Sequence, residues 1–188
     1  MKRVYHFSLL LFFLAYLLIG CKEKWDPFEK PVPPEDKEYD INDDQIIDFK
    51  IKYQLWTWDG LNSSGDMYSC EVVPVNNARL LVHNDSGLLP CQVNDTIFHQ
   101  VITPFRWAST YYDIPFLLSI ISDSRTGWQR EWTTKNNVKR DFYYISFKMP
   151  AADKEYLGWI KLKINNLTGE IEITDRQLNS SDYLIIGR

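Results

Sequence analysis

Between Ile47 and Leu55 every second residue is apolar: Ile47, Phe49, Ile51, Tyr53 and Leu55 alternate with Asp48, Lys50, Lys52 and Gln54. A period of two puts the first set on one face of a strand, packed on that side and wet on the other. The alternation returns at Tyr143, Ile145, Phe147 and Met149, and again at Ile160, Leu162 and Ile164. Phe116 to Ile121 is apolar on both faces and suits a central strand covered from both sides. Asn165-Asn166-Leu167-Thr168-Gly169 separates Ile160–Ile164 from Ile171–Ile173, which predicts a hairpin, and Tyr183–Ile186 supplies a last short strand. Beyond residue 21 no stretch holds apolar residues at i, i+3, i+4 and i+7 over three turns. The expected fold is therefore all-β: an antiparallel β-sandwich or jelly-roll-like single domain over residues 39–188, without internal repeats.

The N-terminal pattern is different in kind. Lys2 and Arg3 precede an apolar run from Phe7 to Gly20, about 14 residues where a membrane-spanning helix needs roughly 20. That plan predicts a signal peptide over residues 1–20. Leu18-Ile19-Gly20-Cys21 resembles the lipobox of bacterial lipoproteins, which implies cleavage before Cys21 and acylation of that residue. Several acyl chains on one cysteine hold more firmly than the single chain that binds only marginally. In enteric lipoproteins a residue such as Lys22, rather than Asp, after the cysteine goes with the outer membrane, which sets the expected location. Residues 21–38 carry four prolines and ten charged residues between Lys22 and Glu38, so a stiff, solvated tether is expected there.

Composition narrows the function. About 150 residues past Tyr39 bury one core rather than two. The formal charge of -4 becomes -6 once Lys2 and Arg3 leave with the leader, and no Lys/Arg cluster longer than two residues follows. Nucleic acid is not an expected partner, because phosphate binding needs a basic face.

Four groups of residues are candidates for chemistry. Asp40, Asn42, Asp44 and Asp48, with the carbonyl of Ile46, have the 1, 3, 5, 9 and 7 spacing of a calcium loop; Gln45 replaces the usual Gly and Ile51 stands where a bidentate Glu would complete an EF-hand. The alternative is an acidic turn before a strand. Cys70 and Cys91, the thiols left after lipidation of Cys21, are expected to form a disulfide in an oxidising compartment; zinc at His83, Cys91 and His99 matches no common ligand spacing. Glu170 and Glu172 project from one face of a predicted strand, about 6.6 Å apart along it, near the separation that retaining glycosidases use. No Gly-x-Ser-x-Gly or His-Glu-x-x-His motif occurs. Finally Trp56, Trp58, Trp128, Trp132 and Trp159 fall among polar neighbours, where they form either a platform for sugar rings or a second, covered core layer.

Taken together, Leu18–Cys21, the Asp/Asn-rich entry Tyr39–Lys52 and the strand Tyr156-Leu157-Gly158-Trp159-Ile160-Lys161-Leu162 resemble a group of small Gram-negative envelope lipoproteins. The resemblance implies a β-sandwich and assigns no activity. The expectation is a non-enzymatic, outer-membrane-anchored module that binds or scaffolds a glycan or an envelope protein. A glycan-active hydrolase using Glu170 and Glu172, or a purely structural envelope component, is the alternative.

Overall fold

The structure, a computed structural model, describes residues 26–60, 64–84, 87–88, 90–109, 117–134, 142–151 and 154–188. Cys21 and the signal-peptide segment lie outside the described residues. So does Phe116, the first residue of the expected central strand.

The described residues are all-β. The strands are β1 (Lys37–Tyr39), β2 (Phe49–Asp59), β3 (Ser64–Pro74), β4 (Arg79–His83), β5 (Gly87–Leu88), β6 (Pro90–Cys91), β7 (Thr96–Phe98), β8 (Phe105–Ala108), β9 (Leu118–Asp123), β10 (Gly127–Trp128), β11 (Thr133–Thr134), β12 (Phe142–Ala151), β13 (Lys154–Ile164), β14 (Ile171–Asn179) and β15 (Tyr183–Ile185). Two antiparallel sheets, curled into a half-barrel, make up the sandwich. The first runs β1-β2-β3-β9-β10, with β11 also on β9. The second runs β14-β13-β12-β4-β5, with β6 on β12 and β8 on β4.

The alternation in the sequence sets which face is buried. Phe49 and Ile51 from β2, Cys70 and Val72 from β3, and Leu118 and Ile120 from β9 face Leu80, Val82, Tyr143, Ile145, Phe147, Met149, Ile160, Leu162 and Ile171 of the second sheet. Each fully buried large side chain there contributes roughly 1.5–3 kcal/mol. Phe49 meets Phe147 edge to face at 5.0 Å. Leu118, Ser119 and Ile120 are all buried, as a strand covered on both faces requires. The β13–β14 hairpin closes where expected: Asn165 accepts the Leu167 and Thr168 N–H groups, and Gly169 takes φ +77° directly under the Trp132 ring.

Three expectations are corrected. The tether does not stand off over its whole length: from Asp26 onward it lies on the first sheet, with Pro27 O accepting the Trp128 N–H, Lys30 over the Tyr68 ring, and Lys37–Tyr39 paired to β2 as β1. Proline and charge had indicated solvation, but extended backbone also suits a sheet edge. Tyr183–Ile185 joins neither main sheet and pairs with β7 in a separate two-stranded ribbon.

The third correction concerns the disulfide. Cys70 and Cys91 are both thiols. Cys70 points into the core between the sheets, whereas Cys91 sits in a second apolar cluster with Leu81, Ile97, Leu157, Trp159, Leu184 and Ile186. The β7–β15 ribbon supplies Ile97 and Leu184 to that cluster, on the outer face of the second sheet. Sheets stack about 10 Å apart, and a disulfide needs Cα atoms within about 7 Å. With the second sheet also between them, the two sulfurs cannot meet.

Candidate functional site

The Asp/Asn-rich loop spends its oxygens on its own backbone. Asp40 accepts the N–H groups of Asp44 and Gln45, Asn42 accepts that of Asp44, and Asp44 accepts that of Ile46. Asp48, buried at the loop's end, accepts the Ile41 N–H at 2.7 Å; burial pushes its carboxyl above the usual carboxylate range, against the pull of that bond. Gln45 takes φ 71° where glycine was expected. Arg176 reaches across from β14, holding both carboxylate oxygens of Asp43 at 2.7 Å and donating to Asp40 O. Among the described residues no three His, Cys, Asp or Glu side chains gather as metal ligands. The donor set does not fit a resident cation, and the loop is closed by amides and a guanidinium instead.

Nor do Glu170 and Glu172 form an acid–base pair. Glu170 is salt-bridged to Lys37 Nζ at 2.7 Å, and that bond holds its carboxyl below the ordinary range. Glu172 lies opposite Lys163 in the hairpin. A glycosidase acid needs the reverse, a carboxyl kept protonated by an apolar setting. The two glutamates line an open polar cleft of about 640 Å³ with Lys37, Lys163, Asn165 and Asn166.

The tryptophans divide. Trp132 is 1% exposed, edge-on to Tyr53, and Trp128 is buried and stacked on Tyr68 at 5.6 Å. Trp159 is buried in the second cluster, with Nε1 donating to Gln177. All three rings are packed in the core rather than exposed on a sheet face, which corrects the platform reading for Trp132 and Trp159; Trp128 still lines an open cavity of about 610 Å³ with Asp26, Lys30, Gln129 and Arg130. Trp56, 45% exposed, and half-buried Trp58 remain on the outer face of the first sheet. Trp56 Nε1 donates to Ser69 Oγ at 2.9 Å, and Trp58 lies against Gly65 of the paired strand.

A smaller but more apolar concavity than the Glu170 cleft is one the sequence pattern did not mark. On the outer face of the second sheet a cavity of about 470 Å³ is walled by Leu81, Cys91, Ile97, Val101, Ile102 and Phe105, with Asp95, Thr96 and Gln100 as polar lining. Burial pushes the Cys91 thiol up to about 11, so it is an inert, apolar wall group. Phe98 and Ile102 stand exposed at its lip. One wall is the loop after β7, and a polar chain ties it down. Trp107, two residues beyond Phe105 on β8, donates from Nε1 to His99 O at 3.0 Å. The His99 ring lies 3.4 Å from Glu155 Oε2, which also takes a 2.8 Å bond from Lys148 Nζ. The Lys148 side chain is only 9% exposed and its ammonium sits 5.2 Å from the Trp107 ring centroid. Burial acts to raise Glu155, but the bond and charge of Lys148, with His99 and Arg79, outweigh it and leave the carboxyl below its ordinary range.

A sign of this site was present in the sequence. Val93, Ile97, Phe98, Val101, Ile102 and Phe105 form an apolar-rich stretch with no period of two, too dense for a solvated loop. The fold and site together define an all-β sandwich with an apolar pocket on the outside of one sheet. Comparison of the chain with protein-family models, with curated proteins and with solved structures finds no match.

Proposed function

We propose that the chain is a lipid-anchored envelope lipoprotein whose β-sandwich is a non-enzymatic binding module, and that the outer-face pocket takes the apolar part of its ligand. The observation that carries this reading is the 470 Å³ cavity itself, apolar on most of its lining and polar at Asp95, Thr96 and Gln100. That size and that mixture are typical of small-ligand sites. The lining favours a hydrocarbon or apolar side chain over a bare sugar, whose hydroxyls would lose water without finding partners there. The lipobox-like segment at Leu18–Cys21 supports the anchor. The closure of Glu170 by Lys37 supports a binding rather than a hydrolytic role.

N-phenyl-1-naphthylamine, a neutral apolar fluorophore, tests the pocket. The full chain is expected to bind it saturably with one site, and Val101→Trp, which fills the cavity, is expected to weaken binding at least tenfold with the melting temperature unchanged. Absence of saturable binding, or binding untouched by Val101→Trp, would refute the reading.

A further inference from the structure

The tether is pinned to the first sheet a short way past Cys21. Pro27 O accepts the Trp128 N–H, and it lies so close to Gly127, at φ +73°, that a Cβ there would come within 2.1 Å of it. Cys21 and Pro27 are six residues apart, and that length of fully extended chain spans at most about 22 Å. With acyl chains on Cys21 the domain cannot stand far off the bilayer, and the part of it held closest is the surface around Pro27.

That surface has the composition of a bilayer contact. Its open cavity of about 610 Å³ is lined by Asp26, Glu29, Lys30 and Val32 of the tether and by Arg130 and Leu167 of the domain. Val32 is 89% exposed and Leu167 63%, and Phe28, on the tether beside Glu29, is 69% exposed. Large apolar side chains grouped in water around one opening mark an interaction surface. The charges of the lining balance, Asp26 and Glu29 against Lys30 and Arg130. Among the described residues neither cation is ion-paired to a carboxylate, and Lys30 Nζ sits over the Tyr68 ring at 5.4 Å.

We infer that this face is the protein's contact with the membrane that holds its anchor, and that the cavity takes a zwitterionic phospholipid headgroup, phosphate to Lys30 and Arg130 and ammonium to Asp26 and Glu29. This rests on the lipid anchor proposed above and is independent of the outer-face pocket. The charge pattern selects the ligand: unpaired groups of both signs match a ligand bearing both, and Lys and Arg are the usual partners of phosphate. The exposed side chains select the bilayer over a soluble carrier of the same headgroup. Phe28, Val32 and Leu167 enter the interfacial layer around the site, as the apolar groups of membrane-surface segments do, whereas a headgroup free in solution would leave them in water.

Nitroxide quenching in vesicles tests this. The full chain, processed from its own leader in a lipoprotein-making bacterium, is reconstituted in vesicles of phosphatidylethanolamine and phosphatidylcholine that carry a headgroup-labelled nitroxide lipid, with a bimane on one introduced cysteine. Cys70 and Cys91 do not compete for the label, because burial holds both thiols protonated. Val32→Cys is expected to be quenched at least threefold more than Phe98→Cys, an exposed position on the β7–β15 ribbon beyond the second sheet. Replacing both cations, Lys30→Gln with Arg130→Gln, is expected to cut quenching at Val32→Cys at least threefold while the circular dichroism spectrum stays the same. These vesicles have no net charge, so that loss reads headgroup contact rather than surface potential. In protein that floats with the vesicles, quenching at Phe98→Cys equal to or above that at Val32→Cys would overturn the membrane face and leave the anchor standing. Quenching untouched by the Gln pair would overturn the headgroup site. Protein that does not float with the vesicles would refute the anchor, and this inference with it.

Discussion

Lys148 and Glu155 form an asymmetric pair, and the asymmetry fixes the order of two substitutions. The lysine side chain is 9% exposed and the glutamate side chain 33% exposed. Glu155→Gln removes the charge that compensates a buried ammonium lying over Trp107. An abandoned buried charge costs about 3–5 kcal/mol in a fully enclosed pair, and water reaching the Glu155 side lowers that to about 1–3 kcal/mol. Lys148→Met keeps an unbranched stem against Trp107 and leaves a carboxylate that water can reach, so its cost is about 1 kcal/mol or less. For a chain of this size 1 kcal/mol moves the melting temperature by roughly 2–4 °C. At pH 7 Glu155→Gln should therefore melt lower than Lys148→Met. The pH dependence has a definite sign. Glu155 is held below its ordinary value in the folded state, so its stabilisation is present above the unfolded glutamate pKa of about 4.3 and is lost as pH falls through the lower folded value. The gap between wild type and Glu155→Gln should shrink toward pH 3. Differential scanning fluorimetry of the three proteins from pH 7 to pH 3 measures this. A larger loss for Lys148→Met, or a gap that does not shrink with acid, would refute the reasoning.

Gly169→Ala should lower the urea midpoint by the equivalent of about 2–4 kcal/mol with the m-value unchanged, because the residue has φ +77° and a Cβ there would lie 2.4 Å from the buried Trp132 ring. Millimolar calcium or EDTA should leave the melting temperature within about 1 °C, since a ligand with no folded-state site gives no mass-action stabilisation; a clear rise with calcium would mean that Asp40, Asn42, Asp44 and Asp48 reorient to hold it.

The fold was legible where one face of a strand alone is buried. Phe49, Ile51, Tyr143, Ile145, Phe147, Ile160 and Leu162 alternate with residues on the other face and are all in the main core. The turn at Asn165–Gly169 was legible because Asn and Gly there do local work, in an Asx bond and a positive φ. The second core layer was not. It is assembled from Leu81 on β4, Cys91 on β6, Leu157 and Trp159 on β13, and the β7–β15 ribbon, whose strands are about 85 residues apart in sequence. No local period announces a contact of that range. Thus Trp159, between Gly158 and Ile160 and near Lys161 and Lys163, had the sequence signature of an exposed ring and is core.

That second layer also changes where binding belongs. A two-layer sandwich has its sites on loops or on exposed sheet faces, and on that basis the tryptophans were the natural candidates. Trp128 and Trp132 are already taken up by the main core; once the ribbon of β7 and β15 covers the outer face of the second sheet, Trp159 is withdrawn as well, and the cover leaves a cavity where its loop at Gln100–Ile102 spans Leu81 and Phe105. A loop over apolar floor residues stays open only if something fixes its height. Here the Trp107–His99 bond and the His99–Glu155–Lys148 chain do so. The same buried lysine that makes the pair costly to break therefore positions a pocket wall. It follows that Glu155→Gln should weaken the naphthylamine probe together with stability, whereas Gly169→Ala, on the far side of the main core, should lower stability and leave probe affinity in the folded fraction unchanged.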